Sequence, residues 1–219
     1  MSWRVAWRET DPFRSGYDLN TLIALLAAGQ SRRFNGVKLA QAIDEHGTSL
    51  LADSFRKLKL VADTRGDELV VILGGHQALL SSLLPDDAKY IINHEFDSGL
   101  SSSIAQAVDY AEKADRDSLF IALADQVAIT AEEYLNLLDV KGQHSRVCAT
   151  FEKQLSVPAI FCRDDFDKLT SLTGDSGAKS ILAALNQEGK LHTVEMSSAA
   201  LDIDTRSELE QWLVTQAET

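Results

Sequence analysis

The chain has 219 residues, a hydrophobic fraction of 45% and a formal net charge of −12. So acidic a protein is not expected to bind nucleic acid, because neutralising the nucleic-acid phosphates needs a basic surface. A small phosphorylated ligand is not excluded, since it needs only a local cationic pocket. No apolar run approaches the roughly 20 residues that span a bilayer, so no membrane partner is expected.

The N-terminal segment, residues 1–20, is predicted to be a partly ordered extension that precedes a single domain at 21–219. It lacks the apolar core of a signal peptide. Trp3, Val5 and Trp7 are candidates for packing as an edge segment. Cys148 and Cys162 are the only cysteines, and we expect both to be buried free thiols in the reducing cytoplasm.

Strand-like and helix-like segments alternate through the first half of the chain, which predicts an α/β layered fold. Apolar runs predict strands at 22–27, 68–75, 89–94 and 118–125, the last of them central because it is apolar throughout. Helices are predicted at 49–61, at 76–84 before Pro85, from a capping box at Ser103–Gln106, and from a second capping box at Thr130–Glu133 to Val140.

The second half is less regular. Strands are predicted at 146–151, 157–161 and 191–196, and Pro158 indicates a sheet edge or a strand start. Helices are predicted at 163–172 and 177–187. A capping box at Thr205–Glu208 predicts a last helix that buries Leu209, Trp212 and Leu213.

Ligands of open α/β sheets bind at the carboxyl ends of the strands, which selects the loops after Ala27, His94 and Leu123. The first of these loops, Gly29–Lys38, is rich in glycine and basic residues. Its glycines allow a ligand to approach the backbone closely. The guanidinium of Arg33 can donate two parallel hydrogen bonds and the ammonium of Lys38 is a compact charge, a pair suited to binding polyphosphate. It matches neither a Walker A loop nor a dinucleotide fingerprint, and a solvated basic turn remains an alternative.

Several other segments carry candidate site residues, each with a plain structural alternative. Asp125 ends an apolar strand, where a carboxylate is costly unless it is paired or binds a cation such as magnesium, although it could cap a turn. Asp202 and Asp204 could be ligands or helix caps. Residues 97–103 and 173–180 each lead into a predicted helix, whose N-terminus binds anions or is simply capped.

Six segments together resemble the MobA-like nucleotidyltransferases in order and spacing, and most closely their molybdenum cofactor cytidylyltransferase branch. The first, LAAGQSRRFNGVK, begins at Leu26. The others are GLSSSI (99–104), LADQ (123–126), VPAIF (157–161), TGDSGAK (173–179) and LDIDT (201–205).

The resemblance implies a three-layer α/β/α, Rossmann-like nucleotidyltransferase fold with a mostly parallel mixed sheet. It implies transfer of CMP from CTP to the terminal phosphate of molybdopterin, with release of pyrophosphate. Mg²⁺ would be the cofactor, and a molybdenum hydroxylase would receive the product.

The resemblance also implies site residues. Arg33, Lys38 and Asp125 would be catalytic, and Asp125 with Asp202 would bind the metal. Gly174 and Asp175 would lie on the acceptor side. The nucleotide would contact Ala27, Ala28, Gly29, Ser31, Arg33, Lys38, Gly99, Ser102 and Ser103.

The sequence departs from the family pattern at a few positions. Asn35 replaces a glycine, which a left-handed conformation would accommodate. Ala124 and Val127 replace the glycine and proline that usually flank the Asp-Gln pair. The segment before Pro158 lacks the usual glycine. Two alternatives stay open: a nucleotidyltransferase that uses GTP or a sugar-phosphate acceptor, and a non-catalytic molybdopterin chaperone.

Overall fold

The computed structural model describes residues 20–31, 33, 34 and 36–217, and it gives no side-chain placement for 216 and 217. The predicted N-terminal extension, with Trp3, Val5 and Trp7, and the expected left-handed conformation of Asn35 lie outside the described residues. In the described ranges, no helix combines the length and the hydropathy needed to cross a membrane.

The centre of the fold is a seven-stranded sheet with the strand order β3-β2-β1-β4-β6-β5-β7. Parallel pairs join β1 to β2 and β4, β2 to β3, and β5 to β7, while β6 is antiparallel to β4 and β5. The mostly parallel mixed sheet is therefore confirmed. The strands are β1 (Thr21–Ala27), β2 (Glu68–Leu73), β3 (Tyr90–Ile92), β4 (Ser118–Leu123), β5 (Val147–Phe151), β6 (Gln154–Cys162) and β7 (His192–Glu195).

Side chains of a strand alternate between the two faces of the sheet, and here the side chains on both faces are apolar. Helices therefore cover both faces. In β1, Ile23 and Leu25 belong to one hydrophobic core, with α1, α4 and α7, while Leu22 and Ala24 belong to a second core with α3, α5 and α6. This is the predicted three-layer arrangement. The helices are α1 (Leu50–Arg65), α2 (Gln77–Ser81), α3 (Leu100–Lys113), α4 (Ala131–Val140), α5 (Phe166–Thr170), α6 (Lys179–Gln187) and α7 (Arg206–Ala217).

The predicted start of α3 is wrong. The helix begins at Leu100, three residues before the proposed cap at Ser103, because Gly99 takes a φ of 97° that allows the chain to turn directly into the helix. The Ser103 hydroxyl lies inside the first turn and accepts a hydrogen bond from Asn93 instead. The capping boxes at Thr130 and Thr205 are confirmed, each with reciprocal backbone and side-chain hydrogen bonds to a glutamate three residues later.

The expectation for Pro158 is also wrong, since β6 lies inside the sheet between β4 and β5. The pairing of β5 with β6 shifts register at this point: Cys148 is opposite Ala159, whereas Ala149 is opposite Ser156. Val157 and Pro158 are therefore unopposed on that side. A bulge of this kind accommodates a residue that has no N–H to donate.

Three smaller expectations need correction. The helix after His76 ends at Ser81 rather than 84. The helix predicted at 163–172 divides into a 3₁₀ turn, Arg163–Asp165, and the short α5. Cys162 is half-buried rather than buried, because it is the last residue of β6, whereas Cys148 is buried as expected.

Candidate active site

A cleft of about 680 Å³ lies at the carboxyl ends of the central strands, where the topology rule predicts a ligand. The loops that follow β1 and β4 form its floor, and residues 96–100 and 174–175 form a wall. Predicted site residues that line it are Ala27, Ala28, Gly29, Ser31, Arg33, Lys38, Gly99, Ser103, Asp125, Gly174 and Asp175.

The loop between β1 and Lys38 is held in a compact turn by its own hydrogen bonds. Ser31 has a φ of 54°, its carbonyl accepts from the backbone N–H of Phe34, and its hydroxyl accepts from the backbone N–H of Lys38. The Phe34 ring is buried, and the Arg206 guanidinium of α7 lies 5.6 Å from its centroid. The loop is therefore anchored beneath the cleft rather than being a free solvated turn.

Two cations and two carboxylates from distant parts of the chain meet in the cleft. Lys38 Nζ lies 2.8 Å from Asp125 Oδ2 and 3.0 Å from Asp204 Oδ1. The guanidinium of Arg33 lies 2.6 Å from Asp204 Oδ2. The Lys38 side chain is 11% exposed and that of Arg33 is 74% exposed. Because solvent screens an exposed ion pair, the contacts of Lys38 contribute more electrostatic energy than the contact of Arg33.

Electrostatics keep Lys38 charged. Burial favours the neutral amine and acts to lower its pKa, but Asp125 and Asp204 together outweigh burial and raise that pKa above its ordinary value. Burial and the charges of Asp125 and Asp204 likewise raise the pKa of the Asp202 carboxyl. The cluster thus presents a permanent ammonium between carboxylates at neutral pH.

The backbone around Asp125 fixes its position at the end of β4. The N–H of Ala124 donates to the Leu26 carbonyl at 3.1 Å, and the N–H of Ile203 donates to the Asp125 carbonyl, also at 3.1 Å. Ala124 and Val127, the two departures from the family pattern, are both buried. They pack into the core below the loop, and the carboxylate still reaches the cleft.

Two glycines bring the walls of the cleft together. A Cβ on Gly99 would lie 2.4 Å from the backbone of Gly174, and the N–H of Ser101 donates to the Gly174 carbonyl at 3.1 Å. Only a residue without a side chain permits this approach. Gly99 therefore joins the loop before α3 to the loop before α6.

Gly99→Ala is expected to separate these loops and destabilise the protein by about 2 kcal/mol, since it combines a clash with backbone strain. The melting temperature should fall, and the Michaelis constant for the acceptor should rise. Gly47→Ala is the matched control, because Gly47 has a similar φ of 78° and a Cβ added there would meet nothing within 4 Å. Equal losses of stability in the two variants would show that the contact with Gly174 is unimportant.

Two predicted site residues do not line the cleft. Ser102 is turned toward Asn93, whose side-chain amide donates to its hydroxyl at 2.8 Å. Asp202 faces a neighbouring cavity, and Asp204 takes the place beside Lys38. The sequence reasoning selected loops that line this cleft, but its site residues did not include Gln30, Phe96 and Asp97, which also line it. The only sequence signal for them was their position within those loops.

The carboxylates of the cleft fit a divalent cation in part. Asp125 Oδ1 is buried and has no hydrogen-bond partner among the described residues, while Oδ2 contacts Lys38. No group of three or more histidine, cysteine, aspartate or glutamate side chains in the described ranges could hold a metal ion. Asp125 and Asp204 would supply two ligands, and substrate phosphates and water the rest, as is usual for magnesium.

An α/β sheet with a basic loop and an aspartate at adjoining strand ends is typical of nucleotide-binding proteins. Residues 23–190 match the family model of the MobA-like NTP transferase domain. That match spans well over half of the 219 residues, and the chain therefore belongs to the MobA-like NTP transferase family. It is a nucleotidyltransferase by family, while no curated protein matches its sequence significantly.

Solved structures share the fold at low sequence identity. A homologue of Mycobacterium tuberculosis Rv0371c from Mycobacterium sp. strain JC1 superposes with a TM-score of 0.74 at 21% identity, covering 91% of this chain and 98% of that one. Rv0371c of M. tuberculosis in complex with manganese gives 0.66 at 19%, covering 89% and 98%. Molybdopterin-guanine dinucleotide biosynthesis protein A of Archaeoglobus fulgidus gives 0.63 at 15%, covering 90% and 100%.

Proposed function

We propose that the protein is a molybdenum cofactor cytidylyltransferase, which transfers CMP from CTP to the terminal phosphate of molybdopterin and releases pyrophosphate. The observation that carries this proposal is that separate family-like segments contribute to one cleft: Arg33 and Lys38 on one side, Asp125 at the centre, and Gly99, Gly174 and Asp175 on the other. The choice of CTP and molybdopterin rests on the sequence resemblance to the cytidylyltransferase branch.

The reaction needs positioning and charge neutralisation rather than a general base, because the acceptor phosphate is already anionic at neutral pH. An acceptor oxygen forms a new bond to the α-phosphorus of CTP, and the bond from that phosphorus to the bridging oxygen of pyrophosphate breaks in line. Lys38 and Arg33 stabilise the departing pyrophosphate. The backbone at Gly29 and Ser31 lies close to the phosphates in this arrangement.

Asp125 and Asp204 would hold Mg²⁺, which is our proposal for the cofactor. When bound, the ion neutralises phosphate charge and polarises a phosphoryl oxygen. Manganese in the Rv0371c complex supports a divalent cation in this fold. The product would pass to a molybdenum hydroxylase, and we place the reaction in the cytoplasm.

Nucleotide-dependent stabilisation tests the proposal. A ligand that binds only the folded state raises the melting temperature by mass action. We expect CTP with magnesium to stabilise the protein more than GTP, ATP or UTP, and radiolabelled CMP to be incorporated into molybdopterin. A clear preference for GTP would instead support the guanine nucleotide alternative, and binding without pyrophosphate release would support the chaperone alternative.

Removal of divalent cations is expected to abolish CTP binding. Among the residues that the structure describes, four aspartates line the cleft, Asp97, Asp125, Asp175 and Asp204, together with the two cations Arg33 and Lys38. A triphosphate would therefore meet a net negative cleft unless a metal ion enters with it. Titration of CTP in EDTA should show no heat and no thermal shift, and added Mg²⁺ should restore both. Tight metal-free binding would contradict the assignment of the cleft.

A further inference from the structure

The loop that carries Asp125 is held in place through its backbone carbonyls. Each of the four consecutive carbonyls in 124–127 accepts a hydrogen bond. The Asp125 carbonyl accepts from the backbone N–H of Ile203 at 3.1 Å, and the Gln126 carbonyl accepts from that of Ile129 at 3.4 Å. The remaining two carbonyls, one on each side of this pair, accept from side chains.

Helix α1 supplies both of these side chains. Ser54 Oγ donates to the Ala124 carbonyl at 3.0 Å, and Lys57 Nζ donates to the Val127 carbonyl at 2.8 Å. Ser54 is 2% exposed, and the side chain of Lys57 is 19% exposed. Residues three apart in a helix share a face, so one face of α1 holds the loop before and after Asp125.

Asp53 fixes the ammonium of Lys57 at this place. Asp53 Oδ2 lies 2.7 Å from Lys57 Nζ, and its side chain is 8% exposed. Asp53 Oδ1 lies 2.7 Å from the guanidinium of the exposed Arg56. A partly buried ion pair is screened less than an exposed one. Because the carboxylate already restrains the lysine side chain, the hydrogen bond to Val127 costs little additional conformational entropy.

Without these hydrogen bonds, little in the covalent structure of the loop would fix Asp125. Ala124 and Val127 do not lock φ as a proline would. The carboxylate itself has few restraints: Oδ1 is buried with no hydrogen-bond partner among the described residues, and Oδ2 contacts Lys38. The direction of the carboxylate therefore depends on the backbone on either side of it, which the two α1 side chains hold.

We infer that Lys57 and Ser54 are positioning residues, which hold the backbone on both sides of Asp125 so that its carboxylate faces the cleft in a geometry that binds a divalent cation. The inference rests on the proposed function for the role of Asp125 as a metal ligand. Neither Lys57 nor Ser54 is among the described residues that line the cleft or the neighbouring cavity, so both act through the loop.

Binding of Mn²⁺ to the full chain, with and without CTP, tests the inference through the electron paramagnetic resonance signal of the free ion. Lys57→Met removes the donor to Val127, and Ser54→Ala removes the donor to Ala124. Each is expected to weaken Mn²⁺ binding by about 10-fold, the lower end of the loss typical for partners that orient a metal ligand. Ser54→Ala removes a single oxygen, so it should fold even if Lys57→Met does not.

Two matched controls lose comparable contacts at the opposite, amino end of the strands. Arg146→Met breaks a 2.7 Å ion pair with the buried Asp165 just before β5. Ser118→Ala removes a buried hydroxyl at the start of β4. Both should lower the melting temperature and leave Mn²⁺ affinity unchanged when every chain is measured well below its melting temperature. Equal losses of affinity in controls and variants would assign the effect to general destabilisation and overturn the inference.

Wild-type affinity for Mn²⁺ in either variant, or no Mn²⁺ binding by the wild type in either condition, would also overturn the inference. Transfer of CMP from CTP to molybdopterin is measured on the same samples. If the wild type and both variants transfer CMP equally, the proposed function stands and the inference fails. If Mn²⁺ binding depends on Ser54 and Lys57 but the wild type transfers no CMP, the inference stands and the proposed function fails.

Discussion

Asp125→Asn is expected to lower turnover by about 1,000-fold, the loss typical of removing one transition-state electrostatic contact. The substitution keeps the size of the side chain and removes the charge that would hold the metal ion. The backbone hydrogen bonds at Asp125 and Ala124 do not depend on the side chain, so the fold should remain intact.

Single-turnover transfer of labelled CMP measures this loss, and melting temperature reports the fold. Asp87→Asn provides a control, since Asp87 is an exposed aspartate outside the cleft. Turnover of Asp125→Asn within a few fold of the wild type would refute a catalytic role for this carboxylate.

Lys38→Met is expected to abolish the stabilisation by CTP and magnesium, because it removes the buried ammonium that we propose contacts the phosphates. It should also destabilise the free protein. Asp125 and Asp204 both contact Lys38 Nζ, and without it two carboxylates face each other. The pKa of the nearby Asp202 carboxyl is raised by burial and by these two aspartates and is held down by Lys38; without the ammonium that pKa rises further, so the stability lost at pH 8 should be partly regained near pH 5.

Melting temperatures of wild type and variant at the two pH values separate these effects from a general packing defect. Lys59→Met is the control, since the ion pair of Lys59 within the described residues is a solvent-exposed contact to Asp63 one helical turn away. A pH-independent loss of stability would exclude charge repulsion as its cause. Retention of CTP binding in Lys38→Met would remove the lysine from the nucleotide site.

Local patterns in the sequence predicted most of the fold. Apolar runs located all seven strands, and capping boxes located the starts of α4 and α7. The errors occurred where a distant contact overrides a local signal. From local sequence Ser103 resembles a helix cap, but in the structure its hydroxyl accepts a hydrogen bond from Asn93. Pro158 suggests an edge strand, but a register shift beside Cys148 accommodates it inside the sheet.

The same reasoning applies to the site. Strand-end topology and the resemblance selected Lys38 and Asp125, and the structure places Lys38 Nζ 2.8 Å from Asp125 Oδ2. The choice between Asp202 and Asp204 could not be made from sequence, since each precedes α7 by only a few residues. In the structure Ile203 is buried in the core between them, and Asp204 lines the cleft while Asp202 lines the neighbouring cavity.

The contacts of Asp204 and Arg206 have a consequence for the order in which the protein is made. All seven strands end by Glu195, so a ribosome can release the whole sheet before it has synthesised the carboxylate that pairs with Lys38 and Arg33. A chain cut after Ala200 would keep every strand and the family-matched region. It would lack the contacts that Asp204 and Arg206 make with Arg33, Phe34 and Lys38, so this part of the cleft is completed only after the whole sheet has been synthesised.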